Sequence, residues 1–524
     1  LTGTAAEIAA AATADTNGTL LLKSDFGATV DEGAVDASDL NTISGRTTAT
    51  IDATAATAIN GTATAVTTAL ADTQINHDNN FTVTLTNNST ATALELIAIN
   101  AATTQPVTAT GVTTITGSIS DVNTVLAAES NQDQAGDAID LDADFAVTIT
   151  DTGSVAATTL TLLDSNVPGT VNAETVGTLT GTAAQIAAAA TADANGTLLL
   201  KSDFGATVDE GAVAASDLNT ISGRTSATID ATAATDIDGS AADVAAALAD
   251  TQISHDDNFD VTLTATSAAA TDLTAIDAAT TKVVDANLVT TLTGTAAAIA
   301  AAATLDANGT TTLKADFGAT VDAGAVNASD LNTISARTTA TIAATNATAI
   351  NGTATEVADA LADTQISHDS DFTVTLTADS TATAAELIAI NAATTQSVTA
   401  TGVTTITGSI SDINSIIAIE TSPGNAGQQI DLDTDFAVTL TDTGSVAAST
   451  LTTLDGNVPG TLNANTVGTL TGTAAAIAAA ATADANGTLV LKADFGATVD
   501  AGAVAASDLT TISGRTTATV NATA

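Results

Sequence analysis

The stretch Leu470 to Val504, LTGTAAAIAAAATADANGTLVLKADFGATVDAGAV, is written four times in the chain, with near-copies beginning at Leu1, Leu179 and Leu292. Each copy holds a helix start, an alanine-rich run, an Asn-Gly stop and a strand signal, so its spacing decides the fold. The step from Leu1 to Leu179 equals the step from Leu292 to Leu470, with a shorter step between them, so the true period is the shift that carries Leu1 onto Leu292. Under that shift, residues 1–233 align with 292–524 without a gap, so that Ala101 falls on Ala392, His77 on His368 and Phe145 on Phe436. Self-similarity on this scale points to a stacked array. The expected organisation is a first long repeat over 1–291, of ten coils, and a second, incomplete one over 292–524, of eight. The chain begins and ends inside a repeat, which predicts a window on a longer array.

A finer unit lies within the long one. All nine phenylalanines follow an Asp or Asn, at Phe26, Phe81, Phe145, Phe204, Phe259, Phe317, Phe372, Phe436 and Phe495. Between them recurs an apolar residue, a small polar one, then Gly and Thr or Ser, with its glycine at Gly3, Gly61, Gly117, Gly181, Gly239, Gly294, Gly352, Gly408 and Gly472. Nine of each make eighteen half-units of about 29 residues, a length within the range of solenoid repeats.

Each half-unit reads as strand then helix. From Phe81 to Thr86, apolar residues alternate with threonine, the period-2 mark of a strand with one buried face, and the same alternation returns at Phe145–Thr150, Phe372–Thr377 and Phe436–Thr441. Pairs three apart, such as Leu40 with Ile43, Leu273 with Ile276 and Leu387 with Ile390, fit one face of a short helix. After the glycine hallmark, Thr4 with Glu7, Thr182 with Gln185 and Thr353 with Glu356 match the capping box. Ser118 with Asp121 and Ser240 with Asp243 are shorter-armed variants. Asn-Gly pairs at Asn195, Asn308 and Asn486 supply the left-handed residue that ends a helix. The run Thr197–Leu200 adds a second strand before Phe204. The predicted fold is therefore an α/β solenoid of strand-helix coils with parallel sheets and short Ala-rich helices. Strands stack about 4.8 Å apart and helices 8 to 10 Å, so either the stack curves or helices alternate between two sides. The two alternating hallmarks favour alternation.

Composition narrows the class. The chain carries 59 acidic and 9 basic residues, a formal charge of -50, yet 45% of it is apolar, which acidic disordered chains lack. It has no cysteine, so disulfides and Cys-based zinc sites are excluded. No apolar run approaches the roughly 18 residues of a membrane span. The deficit of Lys and Arg argues against nucleic acid and anionic lipid as partners.

Residues with chemical potential recur with the repeat instead of forming one unique cluster. His77, His255 and His368 share an Ile-Ser/Asn-His-Asp setting and read as surface or structural groups. No Gly-x-Ser-x-Gly elbow or phosphate loop is present, and the expectation is that the chain is not an enzyme. Lys23, Lys201, Lys314 and Lys492, with Arg46, Arg224, Arg337 and Arg515, read as single cations balancing stacked acids. The most suggestive candidates are acidic. Asp140, Asp142 and Asp144 alternate before Phe145, and Asp431, Asp433 and Asp435 do so before Phe436, a supply of carboxylates for a hard cation such as Ca²⁺. No full calcium-loop motif accompanies them. Eighteen coils at about 4.8 Å predict a rod on the order of 86 Å with one charge per roughly 1.7 Å, similar to duplex DNA. Divalent ions would relieve its self-repulsion.

The phrases Leu-Thr-Gly-Thr-Ala-Ala and Asp-Phe-x-Val-Thr-x-Thr, with their Leu-x-x-Ile-Asp/Asn helices, resemble the repeat regions of giant cell-surface proteins of cyanobacteria and other aquatic bacteria, including the swimming-motility kind. The resemblance implies an exported structural polymer and carries over no functional residues. The expected role is an extracellular filament, sheath or surface stalk that associates with itself and is stabilised by calcium. The alternative is an adhesin, or an ice- or polysaccharide-binding solenoid using threonine-rich faces.

Overall fold

A computed structural model describes residues 1–86, 89–130, 138–377, 380–420 and 429–523. It divides into two compact units, residues 1–239 with 246–260, and residues 240–245 with 261–524. Each unit is a stack of strand-helix coils whose described strand pairs are all parallel, the α/β solenoid expected from the repeat.

The local signals act as written. Thr4 with Glu7, Thr182 with Gln185 and Thr353 with Glu356 form complete capping boxes, and Thr92 with Glu95 and Thr383 with Glu386 form two more. The serine variants also close, with Ser118 Oγ donating to Asp121 at 2.6 Å and accepting its amide at 3.1 Å. Gly196, Gly309 and Gly487 end their helices with φ of 79°, 76° and 84°, a conformation that glycine adopts without a Cβ penalty.

The predicted periodicities face inward. Phe81, Val83 and Leu85 are buried while Thr82, Thr84 and Thr86 are exposed, and Leu40, Ile43, Leu273, Ile276, Leu387 and Ile390 are fully buried. Burial of each such side chain is worth about 1.5–3 kcal/mol. All nine phenylalanines lie in the core.

Sheet topology reveals how a narrow strand spacing is reconciled with a wide helix spacing. In the first unit one five-stranded sheet runs Thr90–Thr92, Thr114–Gly117, Ala146–Ile149, Val171–Ala173 and Leu198–Leu200. Its counterpart in the second unit is Thr381–Thr383, Thr405–Gly408, Ala437–Leu440, Leu462–Ala464 and Leu489–Leu491. The first two strands precede their helices, the third stands apart from any helix, and the last two follow theirs. Each sheet thus slides past the row of helices and ends.

The helices do not alternate between sides. Ala5–Thr16 packs on Ala37–Ser44, which packs on Ala63–Ala71, and in the second unit Ala296–Asn308, Ala328–Ser335 and Ala354–Ala362 pack likewise in sequence. Since neighbouring helices need 8–10 Å and one coil rises about 4.8 Å, each helix must also step sideways by about 7 Å. From the helix Ala63–Ala71 to the helix Ala448–Asp455 the chain provides the path by placing three strands after one helix and two after the next. The span from the helix start at Ile119 to that at Ala157 is accordingly longer than the span from Ala157 to the next start at Ala183. The additional strand opens a new sheet against the previous helix, as Gly211–Ala214 does against Ala183–Asn195 and Gly324–Asn327 against Ala296–Asn308.

Candidate functional surface

The acidic candidates are placed by a strand that runs into a turn. Asp140 points outward from the strand Ile139–Leu141 between two buried neighbours, and Asp431 does the same from Ile430–Leu432. The chain then turns, and Asp142 Oδ1 accepts the Asp144 amide at 3.1 Å, as Asp433 Oδ1 accepts that of Asp435 at 2.9 Å. Asp142 is held below the ordinary carboxyl range by hydrogen bonds from the Asp144 side chain and amide. Asp144 is pushed above it by that same side-chain bond and then by the charge of Asp142. Asp433 and Asp435 repeat the arrangement.

The structure therefore brings together two members of each predicted triad and leaves Asp140 and Asp431 on the sheet face. Among the described residues, no three His, Asp or Glu side chains converge on one point as a metal site requires, whereas Ca²⁺ takes six to eight oxygen ligands. A nearby acid has a structural duty instead. Glu420 Oε2 accepts the Leu432 amide at 3.2 Å, with burial and then the charge of Asp431 raising its pKa. Glu129 holds the Leu141 amide at 2.9 Å in the same way.

Eight of the nine cations are spent in ion pairs within the protein. Lys23, Lys201, Lys314 and Lys492 pair with the Asp two residues on, at 2.9–3.2 Å. These pairs are exposed and screened by solvent, so they add little to stability. Arg46, Arg224, Arg337 and Arg515 reach back to Asp15, Asp193, Asp306 and Asp484 near the ends of Ala-rich helices. The three histidines stand edge-on to Phe81, Phe259 and Phe372 with centroids 5.3–5.4 Å apart, and each Nδ1 lies 2.8 Å from the carbonyl of the next residue.

Outward threonines form short rows. Thr92, Thr116 and Thr148 lie side by side, followed by Asn172 and then Leu199; Thr383, Thr407 and Thr439 are followed by Asn463 and Val490. Elsewhere the row reads Thr180, Thr207, Asp230, Ser254, or Thr84, Thr108, Asp140. Carboxylates, amides and the ends of the sheets interrupt each of these rows.

Comparison with protein-family models and with curated proteins finds no match to the chain.

Two sets of residues that sequence reading passes over join the coils. Buried hydroxyls of Thr47 and Thr225 donate to the Phe26 and Phe204 carbonyls of the preceding coil at 2.5 Å, and Thr103 and Thr394 serve Phe81 and Phe372. Where valine replaces this threonine, at Val167 and Val458, the amides of Gly169 and Gly460 donate to Phe145 and Phe436 at 3.1 Å. At helix ends Ser44, Ser222 and Ser335 clasp Asp72, Asp250 and Asp363 of the next coil. The detectable signal for the first set is a Thr 21 or 22 residues after seven of the nine phenylalanines.

Proposed function

We propose that the chain is a structural repeat segment of an extracellular filament, sheath or surface stalk, whose coils supply length and whose acidic faces associate laterally through divalent cations. The observation that carries this reading is that the polar groups with chemical potential recur with the repeat, and that the Arg, Ser and buried Thr side chains among them hold one coil to the next. A catalytic or receptor site needs a unique cluster; a polymer needs equal groups at equal intervals, which also gives weak contacts polyvalent strength. Calcium in this proposal is a counterion between acidic faces, Asp140 and Asp431 included, because a charge of -50 would otherwise force neighbouring copies apart. The resemblance to giant bacterial surface proteins supports the extracellular placement.

The rival, an adhesin or an ice- or polysaccharide-binding face, calls for long unbroken threonine rows. Rows of two or three threonines ending in Asp, Asn or Leu count against it. Electron microscopy of the purified chain with added calcium and after chelation tests the proposal. Laterally ordered assemblies that loosen on chelation are the expected result, and dispersed single particles under both conditions would sink it.

A further inference from the structure

The tripeptide Asn-Gly-Thr occurs six times, beginning at Asn17, Asn60, Asn195, Asn308, Asn351 and Asn486. The fold sorts five of these identical sequences into two environments. Asn195, Asn308 and Asn486 are the last residues of alanine-rich helices, are exposed, and make no side-chain hydrogen bond with any described residue. The glycine after each is left-handed, and a Cβ built on Gly196, Gly309 or Gly487 meets nothing within 4 Å. Asn60 and Asn351 instead sit half-buried at the ends of ladder strands. Their Oδ1 atoms accept the Thr84 and Thr375 amides of the next coil at 3.0 and 3.1 Å. The space at their glycines is taken, with a built Cβ lying 3.4 Å from Ala37 Cβ at Gly61 and 3.1 Å from Glu356 Oε2 at Gly352.

The geometry points to Asn195, Asn308 and Asn486 as sites of spontaneous conversion to aspartate and isoaspartate through a cyclic imide, with Asn60 and Asn351 protected by the fold. In this reaction the glycine nitrogen, its proton taken by hydroxide, attacks Asn Cγ. The N–Cγ bond forms, the Cγ–Nδ2 bond breaks, and ammonia leaves with a proton from water. A water molecule then opens the imide at either carbonyl, so water is the sole co-reactant. Glycine on the C-terminal side leaves the attack unobstructed. The competing hydrogen bond at the helix ends, from the Gly196 amide to the Asp193 carbonyl at 3.1 Å, belongs to a terminal turn that frays at little cost. At Asn60 the side chain must leave the Thr84 amide and the Gly61 amide must leave the Thr84 carbonyl at 3.3 Å. Each conversion at a helix end places a new carboxylate at the negative pole of the helix, an unfavourable position. In the first such helix it stands two residues from Asp193. The chain would then carry a chemical record of its age along the row of helix ends.

The test is peptide mapping by mass spectrometry of the intact chain, incubated at neutral pH and physiological temperature, with a parallel sample in concentrated urea. Two hydrogen bonds, each worth roughly fivefold in population, protect Asn60 and Asn351. Conversion at Asn195, Asn308 and Asn486 is therefore expected to run at least about tenfold faster in the native sample, with the difference vanishing in urea. Equal native rates at the helix-end and ladder sites, or helix ends as inert as the ladder while the urea sample reacts, would overturn the inference.

Discussion

Arg224 is joined to Asp193 of the preceding coil, 31 residues earlier, its Nε donating to Asp193 Oδ2 at 2.9 Å while the other carboxylate oxygen accepts the Leu200 amide at 2.9 Å. One carboxylate thus ties a helix end, the end of the following strand and the next helix together, and Asp484 repeats the arrangement with Arg515 and Leu491. The two partners are unequal, the Asp193 side chain being 8% exposed and that of Arg224 40%. Asp193→Ala leaves the Leu200 amide without its acceptor and is expected to destabilise that coil by about 1–3 kcal/mol. Arg224→Ala removes a solvent-screened partner and is expected to cost less than about 1 kcal/mol. Amide exchange at Leu200 reads the difference locally, which suits a repeat array better than a global melt.

The Thr225 hydroxyl donates to the Phe204 carbonyl at 2.5 Å and accepts the Ala227 amide at 3.0 Å, and its side chain is buried. Thr225→Val keeps the volume but leaves that carbonyl and that amide unpaired, at an expected cost of about 1–3 kcal/mol. Thr225→Ser keeps both bonds and should cost less. Faster exchange of the Ala227 amide in the valine variant but not in the serine variant is the expected pattern, and parity between the two would show that the hydroxyl contributes nothing.

Much of this fold is legible in the residues. Alternation from Phe81 to Leu85 gives a buried face, Thr182 with Gln185 gives a helix start, and Asn195-Gly196 gives its end, because each is a local preference expressed within a few residues. The sideways step of the helices is visible only in segment lengths, the long span from Ile119 to Ala157 against the short one from Ala157 to Ala183, once the helices are located. Contacts between coils are not legible in the same way. Ser44 and Asp72 stand 28 residues apart, and nothing in either neighbourhood names the other. The acidic triad does not share one face, for a definite reason. Alternation from Asp140 to Asp144 implies one shared face only while the strand continues, and the strand stops at Leu141.

Gly169 and Gly460 follow the prolines Pro168 and Pro459 and lie against the preceding coil. A Cβ added to Gly169 falls 2.6 Å from the Phe145 carbonyl oxygen, and one added to Gly460 falls 2.5 Å from that of Asp435. The obstacle is backbone, which cannot swing aside as a side chain can. Gly169→Ala is therefore expected to destabilise its coil by about 1–3 kcal/mol through overpacking. Gly196→Ala, with open space around it, suffers from its left-handed conformation alone, at about 1 kcal/mol. Denaturant unfolding monitored by amide exchange at Val147 against Leu198 separates the two, and a harmless Gly169→Ala would contradict the tight approach of the coils.

Acid should loosen two junctions, one through Glu95 and one through Glu386. Burial raises the pKa of each, but hydrogen bonds from Thr64 and Thr92 to Glu95, and from Thr383 and Thr355 to Glu386, outweigh it and leave both below the ordinary glutamate value. Thr64 belongs to the preceding coil and donates to Glu95 Oε1 at 2.6 Å, so the ionised carboxylate both caps its own helix and holds its neighbour. A carboxyl whose folded pKa is depressed stabilises the fold above its unfolded value and loses that contribution as pH falls through the lower, folded one. Glu95 and Glu386 therefore contribute fully at neutral pH and fade below the usual glutamate range. Glu95→Gln keeps a neutral cap but removes the titration. The protection factor of the Thr92 amide, its exchange rate relative to the intrinsic rate at each pH, should fall on acidification in the native chain and remain level in the Glu95→Gln variant, and the same acid response in both would place the sensitivity elsewhere.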